Sequence, residues 1–178
     1  RAGLVKCAAI PDWEQDPRYE KLFSAVAQAT KRTGAPVLIH LDKGVDALGI
    51  IRFYEEAGVA AQRLILCHLD RARYDMACHR EAAETGAYLE YDTIHRLKYH
   101  SDEDEAALIA HMVEHGHTGR LLLGMDTTSK RLKSYGADFG LDYILTVFAG
   151  LLAGFGIDKD RLHRIMVQNP QQALAVKL

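Results

Sequence analysis

Thr33-Gly34-Ala35-Pro36-Val37-Leu38-Ile39-His40 holds the plan of the chain in one short stretch. A glycine closes a helix, a proline bars its continuation, three apolar residues make a strand apolar on both faces, and a polar side chain stands where that strand stops. The same grammar recurs on either side. Gly3-Leu4-Val5 ends on Lys6, Leu64-Ile65-Leu66-Cys67 ends on His68, and Leu121-Leu122-Leu123-Gly124-Met125 ends on Asp126. Strands are expected at 3–9, 36–41, 64–69, 87–91 and 121–125. Helical periodicity fills the intervals near 18–33, 45–57, 73–85 and 102–116, then 140–155 and 158–168. Gly34, Gly58 and Gly86 each end a helix before the next strand. The fourth helix is the best signalled. Ser101 can cap its start with Asp104 three residues on, as in a capping box, and Leu108, Ile109, Met112 and Val113 form an apolar stripe. Alternating strands and helices predict a parallel α/β sheet with right-handed crossovers. Five such units fit either an open doubly wound sheet or five units of an eight-unit barrel, which needs roughly 250 residues.

The 178 residues suffice for one buried domain, with 48% hydrophobic and 26% charged residues and a net charge of −2. Such a balance gives no electrostatic case for nucleic acid or an anionic membrane as partner. No apolar run has the length of a membrane span. Three cysteines, Cys7, Cys67 and Cys78, form no C-x-x-C pair, so neither a disulfide scaffold nor a zinc knuckle is expected and a reducing cytoplasm is the expected location. The start at Arg1 has no signal-peptide layout and enters a strand at once, which suggests an internal start in a longer protein.

Lys6, His40, His68 and Asp126 all stand at strand ends, and the carboxyl ends of parallel strands are where α/β folds bind ligands. Two imidazoles, a carboxylate and a lysine are the inventory of a hydrolytic metal centre. Each has a structural alternative: a hydrogen-bonded histidine, or an aspartate capping its own turn. A lysine on a buried strand must lose its charge or find a partner. His111 and His115 have the i, i+4 spacing of some zinc sites but lack the neighbouring acid, and His115-Gly116-His117 reads as surface cation at a helix end.

The stretches Arg1-Ala2-Gly3-Leu4-Val5-Lys6, Thr33 to His40, Cys67-His68-Leu69-Asp70-Arg71, Leu123-Gly124-Met125-Asp126 and Asn169-Pro170 together resemble the C-terminal portion of a phosphotriesterase-family member of the amidohydrolase superfamily. The resemblance implies a (β/α)8 TIM-barrel fold, of which residues 1–178 cover about the last five βα units, strands four to eight, as a single, N-terminally truncated domain. It implies two divalent metal ions, zinc by expectation, bridged by Lys6 carboxylated by CO2. His40 and His68 would bind one ion, and Asp126 would bind the other and act as the catalytic proton acceptor for a metal-bound hydroxide. The family's His-x-His pair has no counterpart upstream of Lys6 here.

In the family's lactonases a Lys-Tyr pair like Lys98-Tyr99 helps hold a substrate phosphate, and Lys130, Arg131 and Lys133 follow Asp126 closely. Lys98, Tyr99 and Arg131 are therefore the expected substrate-binding residues. The histidine that phosphotriesterases place after an aspartate in this loop is replaced by Thr93 after Asp92, which favours a lactonase. The expected function is hydrolysis of a lactone, phosphorylated sugar lactones included. The alternatives are phosphotriester or phosphoester hydrolysis at the same centre, or a catalytically silent binding homologue. The expected partner is a small-molecule substrate, with a homodimer allowed. Cys7 and Cys67 are expected to pack away from the centre, and Trp13 either to line the pocket or to cover the barrel top.

Overall fold

The computed structural model describes residues 3–72 and 75–176. Strands β1 (Val5–Ala9), β2 (Val37–Leu41), β3 (Leu64–Cys67), β4 (Tyr88–Tyr91) and β5 (Leu121–Leu123) form one sheet in chain order, parallel throughout. A doubly wound sheet would reverse its strand order at a switch point. The unbroken order seen here is that of a barrel wall. Helices α1 (Pro17–Thr33), α2 (Ala47–Glu56), α3 (Met76–Glu84) and α4 (Asp102–Glu114) connect successive strands. After β5 a π-turn segment, Ile144–Phe148, runs into α5 (Ala149–Gly154). Then α6 (Lys159–His163) continues through a second π segment into α7 (Asn169–Ala173). The expected elements are thus present, with shorter strands and with π-wound turns in the last helices. Arg73 and Tyr74, which open the expected third helix, lie outside the described residues, as do Arg1 and Ala2 of the first matching stretch.

Local chemistry explains the elements. Asp16 caps α1 by accepting the Arg18 amide at 3.0 Å, Pro17 takes the first helical position, and Gly34 ends the helix at φ 68°. Phe23, Val26, Ala27 and Thr30 then face inward at helical spacing. The capping box of α4 is formed: Ser101 Oγ accepts from the Asp104 amide at 3.1 Å, and an Asp104 carboxylate oxygen accepts from the Ser101 amide at 3.4 Å.

Strand register sorts the side chains into two layers. Cys7, Ile39, Leu66, Leu89 and Leu121 lie side by side and face the helices, forming the main core. The opposite face carries Lys6, Leu38, Ile65 and Tyr88 in one row and Ala8, His40, Cys67, Glu90 and Leu122 in the next. Ile65, Tyr88, Leu122 and Ala173 make a small apolar plug on this face. Above the plug the row turns polar, and that is where the candidate site lies. Trp13 belongs to the main core: it is 5% exposed and packs on Phe23 and Phe53, with ring centroids 5.1 and 5.5 Å away. It neither lines a pocket nor covers the barrel top. No helix among the described residues is long and apolar enough to cross a membrane.

Candidate metal centre and its surroundings

His40 is the penultimate residue of β2, and His68 follows the last residue of β3. Because His40 and Cys67 are paired in register, the two imidazoles come together, and His68 Nε2 lies 2.7 Å from His40 Nδ1. Each ring has its second nitrogen on a carboxylate. His68 Nδ1 lies 2.6 Å from Asp92 Oδ1, with both side chains 5% exposed, and His40 Nε2 lies 3.0 Å from Asp42 Oδ1. A carboxylate behind each histidine is the usual way of orienting a metal-ligating imidazole and fixing its tautomer. With those nitrogens donating to the carboxylates, the inner nitrogens present two lone pairs to each other. A proton or a shared cation resolves that contact.

Burial, aided by the Arg71 guanidinium, lowers the His68 pKa to about 4 and keeps the ring neutral, the form that ligates metal. Burial and then the neighbouring Asp70 raise Asp92 to about 8. An isolated ion pair would shift both groups the other way. Desolvation outweighs the pair's attraction in both shifts.

Lys6 is the second residue of β1, not its last as the sequence pattern implies, and it lies on the same face with Nζ 3.9 Å from Cys67 Sγ. The expectation that Cys67 packs away from the centre is overturned. Register turns Cys67 inward, where its thiol donates to Glu90 Oε2 at 2.9 Å, and burial raises its pKa. Cys7, one position from Lys6, does face the helices, within 3.3 Å of the Tyr54 hydroxyl. Cys67, Glu90 and Asp92 bring ligand atoms within 4.8 Å of one another. Glu90 and Asp92 are absent from the expected site. Their signal in the sequence is the pair of acids in Leu89-Glu90-Tyr91-Asp92, at the end of an otherwise apolar strand.

Asp126 lies three residues beyond β5, at φ 37°, and its carboxylate is paired with Arg96 and, at 3.4 Å, with Arg71. Its ion pairs are thus with arginines, and those arginines were not among the expected site residues. Arg131 also differs from expectation. Its guanidinium donates to the main-chain carbonyls of Met125 at 2.8 Å, Asp126 at 3.3 Å and His95 at 2.8 Å. It ties two strand-end loops together and has little donor capacity left for a substrate. Lys98 and Tyr99 do lie together, with Lys98 Nζ 4.6 Å from the ring centroid, and Arg71 and Arg96 also approach that ring at 4.8 and 5.3 Å. Burial pushes the Tyr99 phenol up, but the bond to Lys98 and the two guanidinium charges outweigh it and leave the pKa lowered. Beside them a cleft of about 450 Å³ is lined by Arg96, Lys98, Lys130 and Phe139 among others.

A parallel β/α wall in barrel order, with metal-competent side chains at the carboxyl ends of its strands, defines a barrel-type α/β protein with a strand-end site. The chain belongs to the phosphotriesterase family, whose sequence profile matches residues 1–174. It is 31% identical over 189 aligned positions to an N-acetyltaurine hydrolase from Homo sapiens, covering 97% of this chain and 54% of that protein. Among solved structures it matches the phosphotriesterase homology protein of Escherichia coli, described with phosphate in its active site. That match has a TM-score of 0.91 and 28% identity over 98% of this chain and 60% of that one. A lactonase from Listeria monocytogenes matches with a TM-score of 0.92 and 28% identity, over 100% of this chain and 55% of that one. The chain spans about half the length of the curated relatives it matches.

Proposed function

We propose that the chain supplies the metal site of a hydrolase that opens a lactone carrying an anionic group, and that it forms part of a complete (β/α)8 barrel. The contact that carries the proposal is His40 Nδ1 facing His68 Nε2 at 2.7 Å, with a carboxylate behind each ring. His40 and His68, with the carboxylated Lys6 beside them, would hold a divalent ion, zinc in this proposal, which when bound would supply a more acidic water and a Lewis acid for the scissile carbonyl. The remaining work falls to side chains. Asp92 fixes the His68 tautomer. Asp126, paired with Arg71 and Arg96, accepts the proton of the attacking water and returns it to the leaving alkoxide. Lys98, Arg96 and Arg71, grouped round Tyr99, hold the anionic substituent by charge-assisted hydrogen bonds.

The test is kcat/KM of the complete zinc-loaded protein on a phosphorylated sugar lactone and on its neutral counterpart, with metal content measured in Lys6→Ala and His40→Ala. Preferential turnover of the phosphorylated lactone, with metal lost in both variants, is expected. Unchanged metal content in both variants would remove the site. A loaded protein that opens neither lactone would leave a silent binding homologue. A second reading rests on the similarity to N-acetyltaurine hydrolases. The same arginines suit a sulfonate, so N-acetyltaurine itself belongs in the substrate panel, as does a phosphotriester.

A further inference from the structure

Behind the His68–Asp92 pair lies a second polar cluster that the proposed hydrolytic chemistry does not use. Asp70 and Glu105 are fully buried, and His100 is 7% exposed. Asp70 comes from the turn after β3, His100 ends the loop after β4, and Glu105 lies in the first turn of α4. One ligand atom from each lies within 4.8 Å of the others.

The hydrogen bonds define what this cluster lacks. His100 Nδ1 donates to the Ser101 carbonyl at 3.0 Å, which leaves Nε2 as the inward-facing atom. Thr93 spends both its protons on Asp70, whose Oδ2 accepts the Thr93 amide at 2.6 Å and the Thr93 hydroxyl at 2.7 Å. The Thr93 oxygen therefore turns a lone pair toward His100 Nε2, 2.8 Å away, while Glu105 Oε2 lies 2.9 Å from the same nitrogen. Two acceptors thus converge on one nitrogen, and a single proton on Nε2 must be shared between them. Asp70 Oδ1 and Glu105 Oε1 have no hydrogen-bond partner at all. Among the described residues no lysine or arginine pairs with either carboxylate, so two buried acids face one imidazole. Uncompensated buried carboxylates are costly, and a bound cation is one of the few ways to satisfy them.

We propose that Asp70, His100 and Glu105, with the Thr93 hydroxyl, form a second and separate divalent-cation site. The donor set is one imidazole nitrogen, two carboxylates and one hydroxyl oxygen. That set suits zinc or manganese and does not select the softer, thiolate-preferring ions. The Nδ1–H···O=C bond of His100 is the backbone support that such a ligand normally has. Held there, the ion fastens the turn after β3 to the loop after β4 and to α4. Those are the loops that present His68, Asp92 and the Lys98–Tyr99 pair, so the role is structural support of the strand-end face. Because Asp70, Thr93, His100 and Glu105 are all buried, loading accompanies folding or an opening of the 92–101 loop.

The experiment separates the two sites by substitution. The His40→Ala/His68→Ala double variant of the complete protein is stripped with chelator and refolded with or without zinc. Bound metal is measured by mass spectrometry and unfolding by calorimetry. About one tightly held ion per chain and a zinc-dependent rise in Tm are expected. Adding Glu105→Gln, which preserves shape and removes the charge, should abolish both. Should that triple variant fail to fold, Asp70→Asn in the same background serves instead. Cobalt loading of the double variant supplies a second readout, the visible absorption of a nitrogen–oxygen cobalt site. No retained ion in the double variant, or the same ion retained after both Glu105→Gln and Asp70→Asn, overturns the proposal. Failure of the hydrolase reading shows instead as unchanged metal content in His40→Ala alone.

Discussion

At the scale of single residues, the backbone records where the chain is held against its preference. His68 at φ 70° and Asp126 at φ 37° occupy the left-handed region without being glycine. Such residues cost of order 1–3 kcal/mol and persist where surrounding contacts over-determine them. For His68 those contacts are Asp92 and His40. Asp92→Asn leaves a neutral amide behind the imidazole, and the expected result is a 10- to 100-fold loss of metal affinity, read by titration with a competing chelator. Lys98→Ala should lower kcat/KM about 10- to 100-fold on an anionic lactone, in line with a charge-assisted bond of about 1.5–3 kcal/mol, and leave a neutral lactone nearly untouched. Arg131→Ala should act differently. Its bonds are to main chain on both sides of the site, so turnover should fall by a similar factor on charged and neutral substrates alike. Equal behaviour of the two variants would erase the distinction between a residue that reads substrate and one that holds a loop.

At the scale of elements, the approach of β5 to β4 depends on Gly124. Its amide donates to the Tyr91 carbonyl at 2.9 Å, and a Cβ there would stand 3.0 Å from Asp92 Cβ and 3.4 Å from Glu90 Oε1. Gly124→Ala should therefore push Asp92 off His68 and weaken metal binding, with little change in far-UV circular dichroism. Helix α4 carries a pH dependence. Burial raises Glu105 to about 7, and the bond to Glu105 raises His100 although burial opposes it. The neighbours facing the pair are Asp70, Asp92, Thr93 and Tyr91. Both folded-state pKa values lie above the unfolded ones. In metal-free protein the stability these groups contribute is present at low pH and is lost as pH rises, for Glu105 between about 4.5 and 7. Denaturant unfolding at pH 5 and pH 8 should show this loss, and Glu105→Gln should flatten it. A wild-type profile that does not fall toward pH 8 would contradict the shift.

At the scale of the whole molecule, β1 and β5 each have one strand neighbour among the described residues, and Lys6 and Ala8 are exposed on the inner face. Unpaired edges are where exchange and aggregation begin. In the 178-residue chain, amides of β1 and β5 should exchange with deuterium faster than those of β2, β3 and β4. In a complete barrel the difference should vanish as both edges gain partners. Equal protection in the short chain would mean that the edges are covered some other way, as by a second copy.

Much of this was legible from local pattern. Strand runs such as Leu64-Ile65-Leu66, the helix stops at Gly34, Gly58 and Gly86, and the Ser101–Asp104 capping box are set by neighbours in sequence, so periodicity and turn chemistry locate them within a few residues. The strand-end positions of His40 and His68 follow from the same pattern, whereas Lys6 stands second in β1 and Asp126 three residues beyond β5. Register and long-range pairing are not local. Only the tertiary structure could show that Cys67 and Glu90 share the inner face with His40, because side-chain direction reverses with each residue of a strand. The same holds for Asp92 behind His68, Arg96 on Asp126, Arg131 on backbone carbonyls, and the closure of Asp70, His100 and Glu105 into one buried cluster. Each of these joins residues from different strand–helix units, and nothing in the spacing along the chain encodes a meeting that the curvature and register of the sheet alone produce.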